Sequence, residues 1–355
     1  MPPLELSRRQ ERRVKQDRLA AVRTGAGGAP LLLTSHEAIS WYLDGIRTHV
    51  SLAGPAVLAV RVDDDGDALF VAANEADRLI AEELEPGDAQ RLVRVPWQVS
   101  PAAAAADASR VALIAEADVA AQLRAARAAL LSGEVQRYRD LGTDVAEVLT
   151  DVAATLAPST SERDASAALA AGLSARRIDP LVVLVAGASR VLFRHPLPTD
   201  AALGGRAMLV VCGRRHGLIA NATRWVGHPG VDDERILDVE AAFFAATRPG
   251  GLLDEAFAAG CAGYLAACFA ADEWRNHHQG GPTGYAGRDP RATGDNGDVI
   301  RENHAFAWNP SAPGAKVEDT VLVTSRGIDV LTADPRWPAV IRGGLARPLA
   351  RPYGR

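Results

Sequence analysis

His277-His278-Gln279-Gly280-Gly281-Pro282-Thr283-Gly284-Tyr285-Ala286-Gly287-Arg288-Asp289 is the stretch from which the fold is read. Before it runs an Ala-rich apolar segment, Leu252 to Trp274, whose spacing predicts one long helix. After it come two strand candidates, His304–Trp308 and Thr320–Thr324, and three more lie upstream, Leu181–Val185, Ala207–Val211 and Leu218–Trp225. Runs of strands interrupted by isolated long helices predict an α+β domain rather than a doubly wound sheet.

Further upstream, Glu134 to Leu156 is helical by period. Pro158-Ser159-Thr160-Ser161-Glu162 then offers a capping box, Ser159 with Glu162, that opens a helix to about Arg177. The first third alternates strand and helix signals. Leu31–Thr34 is a short apolar run, Ser35 an N-cap before Glu37–Tyr42, and Asp63-Asp64-Asp65-Gly66-Asp67 a turn between strands at 56–62 and 68–72. Asn74–Glu83 and the Ala-rich 101–131 read as helix, and Gly133 punctuates the end. The chain therefore divides into an α/β domain over 1–132 and a second domain over 133–355.

Composition narrows the function classes. A net charge of -5 and a pI near 5.9 give no basic stripe for nucleic acid. Arg8, Arg9, Arg12, Arg13, Lys15 and Arg18 cluster, but Glu5, Glu11 and Asp17 interleave, the pattern of a solvated helix face. No apolar run approaches the ~20 residues of a membrane span. The three cysteines, Cys212, Cys261 and Cys268, have no CxxC spacing and suit a reducing cytoplasm. Cys261 and Cys268, seven apart on the same expected helix, are expected to be buried together.

Four segments, in order and at family-like intervals, resemble the creatinase/aminopeptidase P type of pita-bread protein, the M24-like group that also holds methionine aminopeptidase and prolidase. Arg194-His195-Pro196-Leu197-Pro198-Thr199, ahead of a Gly-Gly turn and a hydrophobic strand, is similar to the segment bearing the family's substrate-side histidine. Leu218–Val226 resembles its Asp-x-Thr-Arg-Thr strand. The opening stretch follows its His-Gly-x-x-His frame, and Ala307-Trp308-Asn309-Pro310 to Lys316-Val317-Glu318-Asp319-Thr320 resembles its Glu-Pro and Glu-Asp ending. The resemblance implies a pita-bread C-terminal domain behind a creatinase-type N-terminal domain, and a homodimer in which the N-domain completes the partner's pocket.

Departures from the family pattern shape the expected chemistry. The family's paired-metal site takes two aspartates, one histidine and two glutamates; here those places hold Val211 or Cys212, Asn221, Gly281, Asn309 and Glu318. One carboxylate cannot offset the desolvation of two divalent ions, so no metal or other cofactor is expected. Creatinase, by resemblance, hydrolyses a C–N bond without metal. The expectation is therefore a metal-independent, hydrolase-like cytoplasmic enzyme for a small polar, carboxylate-bearing substrate. His195 would be the general acid or base, with Glu318, His277 and His278 as further catalytic candidates. Arg224 and Arg288 are the expected partners of Glu318 or of a substrate carboxylate. Asn221 and Asn309 would keep hydrogen bonds where ligands once sat, and Tyr285 and Trp308 would wall the pocket. Arg47 is the candidate that reaches the partner's pocket. His216 is expected at an exposed hairpin tip. Two rival readings are a non-catalytic binding protein and a metallopeptidase with an atypical site built from His195, His277 or His278, and Glu318. No nucleic-acid or membrane partner is expected.

Overall fold

In a computed structural model, residues 7–354 are described, and the chain divides into two compact units, Met1–Glu134 and Val135–Arg355. In the first, a five-stranded sheet is built from β1 (Leu31–Leu33), β2 (Leu58–Asp63), β3 (Gly66–Ala72), β4 (Leu92–Val95) and β5 (Ile114–Ala115), in the order β4-β3-β2-β1-β5. The acidic turn closes the β2–β3 hairpin, with Asp63 paired to Gly66. Ser35 caps helix His36–Tyr42 by accepting from the Ala38 N–H at 3.1 Å. The Ala-rich run does not form one helix. It splits into Pro101–Asp107, a 3-10 turn at Glu116–Val119 and Ala120–Ala128.

The basic helix, Arg8–Gly25, corrects the solvated reading in part. Arg8, Arg9 and Arg13 are exposed, but Lys15 is wholly buried, with its ammonium 2.7 Å from Asp44 Oδ1 and 3.1 Å from Glu134 Oε1. Arg12 bridges Asp44 and Asp88. Lys15, Leu19 and Val22 share one helical face, so the lysine goes inside with the apolar residues and is neutralised there.

In the second unit, β6 (Asp179–Gly187), β7 (Arg206–Arg215) and β8 (Leu218–Gly227) form an antiparallel meander. His216 and Gly217 turn the β7–β8 hairpin, both with positive φ (52° and 76°), as a two-residue I′ turn requires, and His216 is exposed as expected. A second sheet is begun by β9 (Gly280–Thr283) and β10 (Ala305–Trp308). The short β11 (Ser311–Ala312) and β12 (Ala315–Lys316) pair with each other. β13 (Glu318–Asp319) joins the edge of β8, while β14 (Val321–Thr324) and β15 (Gly327–Val330) complete the second sheet in the order β15-β14-β10-β9. Helices Ser132–Ala153, Glu162–Ala175, Asp233–Ala246 and Leu253–Ala266 accompany these sheets. This is an α+β architecture.

Three local expectations are overturned. Ser161, not Ser159, caps Glu162–Ala175, accepting from the Asp164 N–H at 3.0 Å. Glu162 is thereby free for another task, described below. The long helix stops at Ala266, because Cys268 adopts a left-handed conformation (φ 61°), and a separate 3-10 turn covers Glu273–Asn276. Cys261 is buried and Cys268 exposed, so the two do not share a buried face. Among the described residues no helix is long and apolar enough to cross a membrane.

Candidate active site

β6, β7 and β8 turn one face toward a cavity of about 240 Å³. Strand alternation selects the face. Val182, Cys212 and Asn221 stand opposite one another across the three strands, as do Leu184, Val210 and Thr223. Val211, one residue out of step, is buried on the other side, so Cys212 is the one of the two that faces the cavity. Burial and the nearby Glu318 carboxylate push its thiol up to about 12, which leaves it neutral and unreactive.

Glu318 pairs across β8 with Thr223, and its side chain is 2% exposed. Burial alone would raise its carboxyl, but Lys316 and Arg288 outweigh burial and hold it below the ordinary range. Arg288 Nη2 donates to Glu318 Oε1 at 2.6 Å, and Lys316 Nζ lies 3.4 Å from Oε2. The cavity's one carboxylate thus carries two cations. Lys316 was missed from the sequence, although its place two residues before Glu318 puts both side chains on one strand face. Arg291, exposed at the cavity lining, was missed too.

Arg224 does not belong to this group. It follows Thr223, so it points to the opposite face, where Nη2 donates to Asp319 Oδ1 at 2.8 Å and to the Thr332 carbonyl at 2.6 Å. Arg347 completes that buried network, with a fork of 2.6 and 2.7 Å to Glu240 and 2.7 Å to Asp319. Trp308 is likewise core rather than wall: it is fully buried, stacks on Phe243 with ring centroids 4.4 Å apart, and donates to Thr247 Oγ1 at 2.9 Å. Tyr285 is buried and lies outside the cavity lining, because the chain leaves β9 at Gly284, whose carbonyl accepts from the Ile219 N–H. Arg47 is held within the N-terminal unit by Glu82 and Glu83. Asn221 and Asn309 do line the cavity; Asn221 Nδ2 reaches Thr283 Oγ1 at 3.4 Å, and Asn309 Oδ1 is buried with no hydrogen-bond partner among the described residues.

Three histidines cluster beside the cavity, of which His195 and His278 line it. Their ligating atoms lie within 4.8 Å of one another, and His195 Nε2 is 3.0 Å from His277 Nε2. The His277 and His278 rings stack with centroids 4.4 Å apart, and the buried Nδ1 atom of each has no hydrogen-bond partner among the described residues. Burial, then Lys316, pulls His277 down to about 2; burial, then Arg288, pulls His278 down to about 4. His195, exposed on its loop, is lowered by partial desolvation and Lys316 against the opposing pull of Glu318. All three are neutral at pH 7, so in the His195–His277 contact one imidazole donates and the other accepts.

Glu162, freed from capping, fixes the His195 loop. Its buried carboxylate accepts from the Gly187 N–H (2.8 Å), the Thr199 N–H (2.9 Å) and Thr199 Oγ1 (2.7 Å), and it pairs with Arg190. Those contacts clamp both ends of the segment bearing His195.

No family model matches the sequence, and no curated protein matches it. Solved structures do. A prolidase from Pyrococcus horikoshii OT3 aligns over 91% of this chain and 99% of its own, with TM-score 0.73 and 14% identity. Dipeptidase PepE from Mycobacterium ulcerans aligns over 92% and 96%, with TM-score 0.70 and 19% identity. The chain has the pita-bread fold. The N-terminal domain of FACT complex subunit SPT16 from Cicer arietinum shares it, at TM-score 0.65 and 14% identity over 91% of this chain and 96% of that one.

The pita-bread family's metal pair does not fit these residues. Its ligand places hold a neutral thiol, two amides, a glycine and one carboxylate already saturated by two cations. A side chain at Gly281 (φ 132°) would meet Ala292 N at 2.9 Å, so that place admits no ligand. A divalent ion beside Arg288 and Lys316 would meet like charge in a poorly solvated site.

Neutral histidines give the pita-bread unit a pH dependence. His278 and the buried His304 both lie near 4 against 6.5 when unfolded, so the unfolded chain takes up protons first. Stability should therefore fall as pH drops from 6.5 through about 4. The depressed carboxylates Glu318 and Asp319 extend the loss to still lower pH. Denaturant midpoints measured between pH 7 and 4.5 should decline steadily; a flat series would contradict the buried, neutral imidazoles.

Proposed function

We propose that this chain is a hydrolase-like enzyme that works without a dinuclear metal centre on a C–N bond of a small carboxylate-bearing molecule. The observation that supports it most is the Arg288–Glu318–Lys316 group, fixed positive charge where the fold's metal ions would otherwise sit. With Arg291 it gives the cavity an excess of cations over its single carboxylate, suited to an anionic substrate. His195, neutral and accessible, takes a proton from water as the water oxygen adds to the substrate carbon. The C–N bond then breaks, and the same proton passes to the departing nitrogen. Lys316 and Arg288 stabilise negative charge that develops on the carbon's oxygen. His277 holds His195 in one tautomer, and Asn309 Oδ1 offers an acceptor to a substrate N–H.

A panel of carboxylate-bearing amides, ureas and amidines, assayed with and without chelator, tests this reading. Turnover indifferent to chelator is expected. Turnover abolished by chelator and restored by metal would move the chemistry to an ion held by His195, His277 and His278. Binding without turnover would favour a non-catalytic role, a reading kept open because the fold also occurs in a FACT complex subunit and does not by itself fix an activity.

The cytoplasmic setting and the homodimer, with Arg47 reaching the partner's pocket, belong to the same proposal. Light scattering at micromolar concentration should give about twice the 37.4 kDa chain mass. A strict monomer would remove Arg47 from the site.

A further inference from the structure

The cavity has two kinds of wall. One is cationic: Lys316, 6% exposed, has Glu318 at 3.4 Å as its one ion-pair partner among the described residues, and Arg291 has none. Two of the three ammonium protons on Lys316 are thus left for a ligand.

The other wall is apolar and comes from the edge strand β6. A register shift between Pro180 and Val182 marks a β-bulge, which sets Leu181 and Val182 side by side at the cavity instead of on opposite faces. Both are 36% exposed, and Leu184, Val210 and Ile219 continue the surface inward. Cys212, its thiol held neutral, adds no charge to it. Edge strands are ordinarily blunted by charge, so an open Leu–Val pair here wastes apolar surface unless something covers it.

We infer that the substrate is amphipathic: an anionic head seated on Lys316 and Arg291, and an apolar body laid along Leu181, Val182 and Ile219. This rests on the cavity being the substrate site, as proposed above, and it replaces a small polar substrate with an apolar-chain carboxylate. The occupant is a free small molecule, because Leu184 and Val210 at the inner end are almost fully buried and leave no room for a folded partner.

The test is calorimetric titration of the intact protein with acetate, butyrate, hexanoate and octanoate at fixed ionic strength. Affinity should rise about two- to fourfold per methylene. Alcohols of the same chain length should bind about tenfold or more weakly, lacking the charge-assisted contact. In the double variant Leu181→Ser, Val182→Ser, octanoate should lose most of its advantage over acetate. Val182→Ser alone, expected to halve that advantage or more on the logarithmic scale, serves if the double variant fails to fold. A flat chain-length series, or alcohols that bind as well as carboxylates, would overturn the inference. Binding is read without turnover, so failure of the hydrolase chemistry would leave this series unchanged. Conversely, a flat series beside chelator-indifferent turnover would overturn the amphipathic substrate alone.

Discussion

Replacing His195 with alanine is expected to lower turnover about 10²–10⁴-fold while changing stability by no more than ~1 kcal/mol. The ring is exposed, and its one hydrogen-bond contact among the described residues is the 3.0 Å approach to His277 Nε2. The loop keeps its course through Glu162, Arg190 and Thr199, none of which touches the imidazole. A matched variant, Glu318→Gln, separates proton transfer from electrostatics. Glu318 is the group that raises the His195 pKa, so its neutralisation should move the acid limb of the rate profile to lower pH. A His195→Ala enzyme with unchanged turnover would transfer the chemistry elsewhere and leave the binding reading in its place. Loss of folding in that variant would make the histidine structural.

Arg224→Ala should behave in the opposite way. Its guanidinium is 4% exposed and shares Asp319 with Arg347, and Thr332 Oγ1 also donates to that carboxylate. Removing one member leaves a buried charge under-compensated, at a cost of about 3–5 kcal/mol. The protein should unfold at markedly lower denaturant, whereas an Arg288→Ala variant should chiefly lose turnover. If Arg224→Ala kept full stability and lost only substrate binding, the strand-face assignment of β8 would be wrong.

That assignment also explains what could be read from the sequence. The four segments carried the fold because each places a short element in order, and order survives even at 14–19% identity to the similar solved structures. Glu318, Asn221, Asn309 and the histidines were legible as positions in those segments. Arg224, the expected partner of Glu318, lies on the other face because a strand sends neighbours to opposite sides and Thr223 takes the side of Glu318. Trp308 obeys the same rule: its neighbour Asn309 lines the cavity and the indole enters the core. Lys316 could have been found by the i, i+2 relation to Glu318. Glu162 could not, since its partners Gly187 and Thr199 lie 25 and 37 residues away and come together only in the fold. The bulge that turns Leu181 and Val182 together leaves no signature in the apolar run itself.

Metal stoichiometry tests the central claim most directly. Purified protein, incubated with manganese, cobalt or zinc and then freed of unbound ion, is predicted to carry well under one ion per chain by elemental analysis, with its thermal midpoint unmoved. Retention of two ions per chain, with a raised midpoint that falls again on chelation, would contradict the account.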